Sequence, residues 1–314
     1  MTWWKKPIVL AMVAVSTQTL EAGPFSAHSK DPTNAHDPPL RAWRMRAWAT
    51  AAVNYAPAPG VLANRDPNAA LGAPDGASTV SLGDLFSQSS PPPTDSTIPF
   101  GPPDPFSGDL NDPDDDYGFI GIDPAGSITL GFAMPIVNGS GADFAVFENA
   151  LDNLFSGDGT FVYGEFAYVE VSTNGVDFAR FASIATNTEA SLDDTFGRDF
   201  AAMDPTNVHN LAGKHLGRWG TPFDLELLAG DPAVQSGVVD LGDIEFVRLV
   251  DVPGNGSFLD ALNNPIYDSW ETVGTGGLDL DAVGVLNQVP QPAAGVLACA
   301  GALMWLGRRT TQRC

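Results

Sequence analysis

Cysteine is almost missing from this chain of 314 residues, since only Cys299 and Cys314 occur and both lie near the C-terminus. The long part before them can form no disulfide and has no thiol nucleophile, so its stability must come from an ordinary core, with or without bound metal. The GxSxG, HExxH, P-loop and GxGxxG motifs, which mark common hydrolases, metalloproteases and nucleotide-binding enzymes, are also missing. These absences predict a protein that is not an enzyme.

Basic residues are scarce. The chain has 15 Lys and Arg against 38 Asp and Glu, and its two terminal segments hold five of the basic and one of the acidic residues, so the body between them has a net charge of about −27. Such a surface repels nucleic acid and anionic lipid and attracts cations, of which Ca²⁺ suits carboxylate ligands outside the cell. Solubility in the extracellular medium is the alternative explanation.

The N-terminal residues have the pattern of a secretory signal peptide. Lys5 and Lys6 precede an apolar run from Pro7 to Val15, and a cleavage site is expected after Ala22. We therefore predict a signal peptide over residues 1–22, followed by a polar, proline-containing linker over residues 23–42.

The C-terminal segment, residues 288–314, has the pattern of a sorting signal. Its uncharged stretch from Ala293 to Gly307 would span only about 22 Å as a helix, which is short for a hydrocarbon core of about 30 Å. Arginines follow at once and would stay on the cytoplasmic side, so the body would face outward. A permanent short anchor is the alternative to removal.

The order of these parts resembles the PEP-CTERM sorting signal of Gram-negative bacteria, although Gln291 stands where Glu is usual. The matching residues are Val289, Pro290, Gln291, Pro292, Arg308 and Arg309. The resemblance implies transient inner-membrane association, recognition by an exosortase-type enzyme, and delivery to the cell surface or extracellular matrix.

No long amphipathic helix is visible, and short segments rich in β-branched and aromatic residues alternate with Gly, Asn, Asp and Pro. This pattern predicts an all-β, antiparallel β-sandwich of jelly-roll type over residues 43–287, with long loop insertions and a short C-terminal apolar helix. The expected strands are Thr79–Leu82, Ser127–Phe132, Asp143–Glu148, Glu165–Ser172, Val176–Phe181, Glu245–Val252 and Leu278–Leu286.

Two features between the strands are specific. Asn174-Gly175 predicts a two-residue type I′ hairpin turn, with Ala167, Val169 and Val171 facing the core. Residues 84–124 form an acidic, proline-rich insertion that cannot make a strand ladder. Short helical turns are expected at Asn207–Leu211 and Asp224–Leu228.

The body also resembles a group of bacterial cell-surface proteins that bear this tail. The resemblance lies in the order of LGAP, VSLG, GSITLGF with PIVNG, DFAVFENA, VEVSTNGVDF, LAGK, FVRLVDV and GGLDLDAVGVLN. Its strand–SxNG–strand and VRLV elements are similar to galactose-binding-domain-like (discoidin-type) jelly rolls, which implies a ligand site on loops at one end of the sandwich.

Carboxylates in three places are candidate Ca²⁺ ligands. Asp112, Asp114 and Asp116 alternate within the insertion, although Tyr117 stands where an EF-hand loop needs Gly, and a solvated acidic loop is the alternative. Strand alternation puts Glu148 in a row with core residues, and puts Asp279 and Asp281 in a row with Val283 and Val285. Buried carboxylates need a metal or hydrogen-bond donors, so a shared Ca²⁺ site and capping of backbone amides both remain open.

Three aromatic residues lie in loop-like surroundings and are candidates for stacking on sugar rings: Trp219, Trp270 and Tyr267. Packing of these rings onto the core is the alternative. The sequence therefore predicts a secreted, non-enzymatic β-sandwich that is stabilised by calcium and binds extracellular polysaccharide or matrix material. The alternatives are a structural matrix protein without a ligand site and a glycan-active hydrolase with two facing carboxylates.

Overall fold

The computed structural model describes residue 25 and residues 39–58, 61, 63–83, 125–149, 151–152, 162–188, 203–215, 217–268 and 277–289. Strands dominate this part of the chain, and α1 (Pro232–Gln235) is its one short α-helix. The strands are β1 Leu40–Arg41, β2 Ala47–Trp48, β3 Ala51–Ala56, β4 Val80–Ser81, β5 Ser127–Ile136, β6 Phe144–Glu148, β7 Leu151–Asp152, β8 Val162–Tyr163, β9 Phe166–Ser172, β10 Ala179–Arg180, β11 Ile184–Ala185, β12 Val208–His209, β13 Leu211–Ala212, β14 Trp219–Phe223, β15 Ile244–Val252, β16 Asn255–Leu259, β17 Pro265–Tyr267 and β18 Asp279–Val285.

Two antiparallel sheets pack face to face, which confirms the predicted all-β sandwich. Sheet 1 has the order β1-β14-β6-β18-β2, with β4 also paired to β18, and sheet 2 has the order β10-β9-β15-β5-β3, with β13 also paired to β9. The pairs β11–β12, β16–β17 and β7–β8 are separate. The predicted short C-terminal helix lies outside the described residues.

The core between the sheets is built by alternate residues of the central strands. Phe144 and Val146 of sheet 1 meet Val169, Val171 and Val247 of sheet 2 in one buried cluster. This confirms the side of β9 that was predicted to face the core. Because successive side chains of a strand alternate between faces, the other half of each strand is left for the outer faces.

Both outer faces carry additional layers. On sheet 1, Phe147 and Ala282 are covered by a cluster that includes Leu40, Met45 and Trp48. On sheet 2, part of the outer face is covered by a second buried cluster, whose members include Phe166, Tyr168, Val208, Met203 and Ile266. The outer side of β9 is therefore buried along much of its length and is not exposed to solvent.

Short helices begin where an aspartate can cap them. Asp66, Asp204 and Asp231 each precede a proline and accept a hydrogen bond from the second backbone amide beyond them. Asp224 does the same without proline, and the 3-10 turn Leu225–Leu228 confirms the helical turn predicted there. The other 3-10 turns are Ala42–Arg44, Pro67–Ala70 and Pro205–Asn207.

The other predicted helical turn is wrong over most of its length. The 3-10 turn ends at Asn207, and β12 and β13 occupy four of the next five residues. Asn210 between them adopts a positive φ of 54°, which turns the chain sharply.

The predicted two-residue hairpin at Asn174-Gly175 is also wrong. Residues 173–178 separate β9 from β10, and of the two residues only Gly175 has a positive φ. The Ser172 hydroxyl oxygen accepts hydrogen bonds from the amides of Asn174 and Gly175, and the Asn174 side chain accepts from Val176 and Asp177. These side chains satisfy the loop amides locally and so favour a longer loop over a type I′ turn.

Candidate functional site

A β-bulge places the carboxylates of β18. Leu280 pairs with Glu148 and Ala282 pairs with Phe147, so Asp281 is the extra residue on β18. The row that faces the core is Leu278, Leu280, Val283 and Val285. The expectation that Asp279 and Asp281 share a side with Val283 and Val285 is therefore wrong, because the inserted residue shifts the alternation by one.

Asp281 binds the backbone of the loop at residues 75–76. Its carboxylate accepts hydrogen bonds from the backbone amides of Asp75 at 3.1 Å and Gly76 at 3.0 Å. Burial raises the pKa of Asp281, and these two amides oppose that shift. The sequence left open a Ca²⁺ site and the capping of backbone amides, and Asp281 does cap amides. The capped turn lies at residues 75–76 and not directly before β18.

Glu148 and Asp279 lie at the same end of the β6–β18 pair, because Glu148 is opposite Leu280 and Asp279 is opposite Ser81. Their exposed fractions are only 2% and 5%. Asp251, which the sequence analysis did not single out, is buried at this end too and accepts a hydrogen bond from the amide of Leu278 at 2.9 Å.

The two described ends of the acidic insertion meet at this place. The amide of Leu82 donates to the carbonyl oxygen of Leu278, and a side chain at Gly126 would collide with the carbonyl oxygen of Leu82. Asp251 in turn donates its amide to the carbonyl oxygen of Gly126. The described residues that flank the insertion, Leu82 and Gly126, therefore lie beside buried carboxylates.

Among the residues that the structure describes, no group of three or more His, Cys, Asp and Glu side chains is arranged to hold a metal ion. Asp112, Asp114 and Asp116 lie outside the described residues. The calcium site thus remains a prediction, and of its predicted ligands Glu148, Asp279 and Asp281 are described.

Two further aspartates join distant segments. Asp143 accepts hydrogen bonds from the amides of Gly139 and Leu225 and from the Asn287 side chain, each at 2.8 Å. Burial is the largest influence on its pKa and raises it.

Asp260 accepts hydrogen bonds from the amides of Ala185, Leu262 and Asn264. Burial would raise the pKa of Asp260, but these donors prevail and lower it. The sequence gives only a weak signal for Asp143 and Asp260, namely an aspartate at a strand boundary.

The predicted ligand-binding aromatics have different surroundings. Trp219 begins β14, is partly buried, and has the guanidinium carbon of Arg41 3.3 Å from its ring centre. Tyr267 ends β17 and is partly buried beside Gly256. Trp270 lies outside the described residues. The two described rings, Trp219 and Tyr267, therefore lie on strands and not in loops.

Trp219 instead adjoins a group of exposed residues that the sequence analysis missed. Trp43 is 82% exposed, and Arg41, Arg44 and Arg46 are exposed beside it in the sequence. The segment crosses sheet 1 from β1 at one edge to β2 at the other. We call these four residues the arginine–tryptophan patch. The sequence does contain a signal for this patch, because three of the ten basic residues of the body lie within six positions. The strongly acidic composition of the whole chain hid this local cluster.

The patch is held in place by its neighbours in the sequence. Arg41 pairs with Trp219 across β1 and β14, and the amide of Arg46 donates to the carbonyl oxygen of Val285 at 2.7 Å. Leu40, Met45 and Trp48 pack inward on the outer face of sheet 1. The apolar residues between the arginines thus act as anchors. Arg41 follows Leu40 on β1, so its side chain lies on the other side of sheet 1 from Leu40, against Trp219.

No carboxylate lies within 4.0 Å of Arg41, Arg44 or Arg46 in the part of the chain that the structure describes. The arginines of sheet 2 differ in this respect. Arg180 and Arg248 flank the buried Glu170 in register and bond its two carboxylate oxygens. Their guanidinium groups also lie over the rings of Tyr168 and Phe178.

No protein-family model and no curated protein sequence matches this chain. Of the sorting residues, only Val289 is described, and its amide donates to the carbonyl oxygen of Pro135 at 3.1 Å. Pro290, Gln291, Pro292, Arg308 and Arg309 lie outside the described residues. Among the residues that the structure describes, no helix has the length and apolar character needed to cross a membrane.

Proposed function

We propose that this protein is an exported, non-enzymatic β-sandwich that binds polysaccharide of the cell surface or extracellular matrix through the arginine–tryptophan patch. The observation that carries the proposal is the 82% exposure of Trp43 on a layer whose other large apolar side chains pack inward. An exposed indole offers a flat apolar face, and exposed arginines of the same segment add hydrogen-bond donors, a combination that suggests a binding role.

The chemistry of the patch suits a sugar. An indole face packs on the apolar face of a pyranose ring, and guanidinium groups beside it donate hydrogen bonds to hydroxyl oxygens. Trp219 supplies a second indole, although Arg41 covers one of its faces. Trp219 packs against the second buried cluster, so it remains a separate candidate for sugar contact.

Export and sorting are part of the same proposal. The signal peptide over residues 1–22 would direct secretion, and the segment from Val289 onward would be recognised and removed by an exosortase-type enzyme at the inner membrane. Mass spectrometry of the mature protein recovered from the cell surface should find neither segment. Recovery of the intact tail would instead favour the permanent anchor.

A glycan array tests the binding function. The full-length protein should be retained by one class of extracellular polysaccharide, and Trp43→Ala should abolish retention without lowering the melting temperature. Val176→Ala is the matched control, because Val176 is 79% exposed on the β9–β10 loop of the other sheet. A blank array would favour the structural matrix protein, and breakdown of a bound glycan would contradict the non-enzymatic assignment.

Calcium is proposed to bind at the end of the sandwich where Glu148 and Asp279 are buried and the acidic insertion begins. Carboxylate oxygens gathered at one end of the sandwich suit Ca²⁺. Isothermal titration should show uptake that Glu148→Gln weakens and the exposed control Glu245→Gln does not. A cation at 100 times its Kd should stabilise the fold by about 2.7 kcal/mol. No uptake and no change in melting temperature would exclude this site.

A further inference from the structure

We infer that the polysaccharide bound by the arginine–tryptophan patch is acidic, with carboxylate, sulfate or phosphate groups along the chain. This inference rests on the proposed function and names its ligand class. It depends on the charges of the patch, whereas the proposed function depends on Trp43.

The arginines of this protein occur in two different settings. Arg180 and Arg248 are neutralised locally, because the carboxylate of Glu170 lies between them and bonds both. Arg41, Arg44 and Arg46 have no carboxylate within 4.0 Å in the described part of the chain. Three exposed arginines within six residues and without an ion pair leave an excess of positive charge on this segment.

That local charge is effective at short range. At physiological ionic strength, charges are screened over about 8 Å, so a ligand group at Trp43 responds most to the arginines nearest that ring. Guanidinium groups bind carboxylate, sulfate and phosphate oxygens through two parallel N–H bonds, a geometry that neutral hydroxyls do not match. The patch is therefore better suited to an acidic sugar than to a neutral one.

A polymer fits this surface better than a membrane does. A flat anionic bilayer would approach the whole face of a protein with a net charge of −23, whereas a single glycan strand needs to approach only the patch. Interfacial binding to lipid also needs a buried apolar area, and here Leu40, Met45 and Trp48 already pack inward. Trp43 alone offers one ring, which is enough for one sugar and little for a bilayer.

The test compares three immobilised probes: a polyuronate, the same polymer with its carboxyl groups reduced to neutral alcohols, and vesicles of phosphatidylglycerol. The full-length protein should bind the polyuronate at least about tenfold more tightly than the reduced polymer, and added salt should weaken the first interaction only. Vesicle binding should be negligible.

Charge-matched variants identify the residues. Arg44→Gln should weaken polyuronate binding about fivefold. Arg65→Gln should leave polyuronate binding unchanged, because Arg65 is distant from the patch. Arg65 lies near Tyr55 and Asp279, at the start of β18. The amide of Arg46 bonds Val285, at the end of β18. Trp43→Ala should weaken binding of both polymers. Unchanged melting temperatures will show that the variants are folded.

The outcomes separate the two proposals. Equal affinity for the polyuronate and its reduced form would overturn the acidic ligand and leave the carbohydrate function standing. Binding to vesicles in place of either polymer would overturn the inference in favour of a membrane surface. Failure of this protein to bind any glycan, on these probes and on the array, would overturn both.

Discussion

Replacement of Asp143 should reveal how strongly one buried carboxylate holds the sandwich together. Its two oxygens bind the Gly139 amide, the Leu225 amide and the Asn287 side chain, so it links the β5–β6 loop, the turn after β14 and the segment after β18. Asp143→Ala removes all three acceptor contacts. The Leu225 amide is left buried, while the Gly139 amide and the Asn287 side chain lie where water can reach them.

The magnitude follows from those surroundings. A buried donor that loses its acceptor costs about 1–3 kcal/mol, and each donor that water can reach costs about 0.5–1.5 kcal/mol. We expect Asp143→Ala to lower the free energy of unfolding by about 3–4 kcal/mol. Asp143→Asn keeps an acceptor for Gly139 and Asn287 but turns an NH₂ group toward the Leu225 amide, so about 2 kcal/mol is expected.

Urea titration of the variants is the assay, with an unchanged m-value as the check that the unfolded state is the same. Asp231→Ala is the control, because this aspartate caps α1 through one amide, that of Ala233, and its loss should cost about 1 kcal/mol. If Asp143→Ala costs no more than Asp231→Ala, the three hydrogen bonds do not stabilise the fold as the geometry requires.

The pH dependence supplies a second check. Because burial raises the pKa of Asp143 above its ordinary value of 3.8, the folded protein binds a proton at this site more readily than the unfolded chain does. The contribution of this group to stability therefore increases as the pH falls through the interval above 3.8, and it is constant above the folded pKa. The stability difference between wild type and Asp143→Asn should widen from about pH 7 toward about pH 4.

Three other variants test the core and the second layer. Gly213→Ala should prevent folding, because Gly213 has a φ of +87° and a Cβ there would overlap the Glu165 carbonyl; soluble protein of normal melting temperature would contradict this. Phe181→Ala should cost about 3–5 kcal/mol in urea titration, since this fully buried ring contacts two other phenylalanines. Burial raises the pKa of Tyr168 to about 12, so spectroscopic titration should show a tyrosine that ionises near that value, and Tyr168→Phe should remove this step.

The strands were predictable where β-branched and aromatic residues are concentrated between turn residues. In β9 and β15, apolar residues on one side form the core, and the predicted bounds agree with the observed ones within a residue. The outer side of β9 was not predictable, because the residues that cover Tyr168 and Phe166 come from distant parts of the chain. Alternation within one strand contains no information about such a layer.

The candidate site was harder to predict for two physical reasons. The composition of a strand does not show an extra residue such as Asp281. That residue nevertheless reverses which face of the sheet each following side chain occupies. The arginine–tryptophan patch lies on strands of only two residues and a 3-10 turn, which are too short for any periodic signal. Its position depends on pairing with β14 and β18, and those pairings are long-range.

The hydrogen bond between the Arg46 amide and the Val285 carbonyl places this part of the arginine–tryptophan patch close to the start of the C-terminal segment. Val285 and Val289 are four residues apart, which is at most about 14 Å of extended chain. Under the proposed sorting, a protein joined to the cell surface near Val289 would hold the patch within reach of that surface. Attachment would then raise the effective concentration of surface polysaccharide at the patch, so that weak contacts suffice for lasting occupancy.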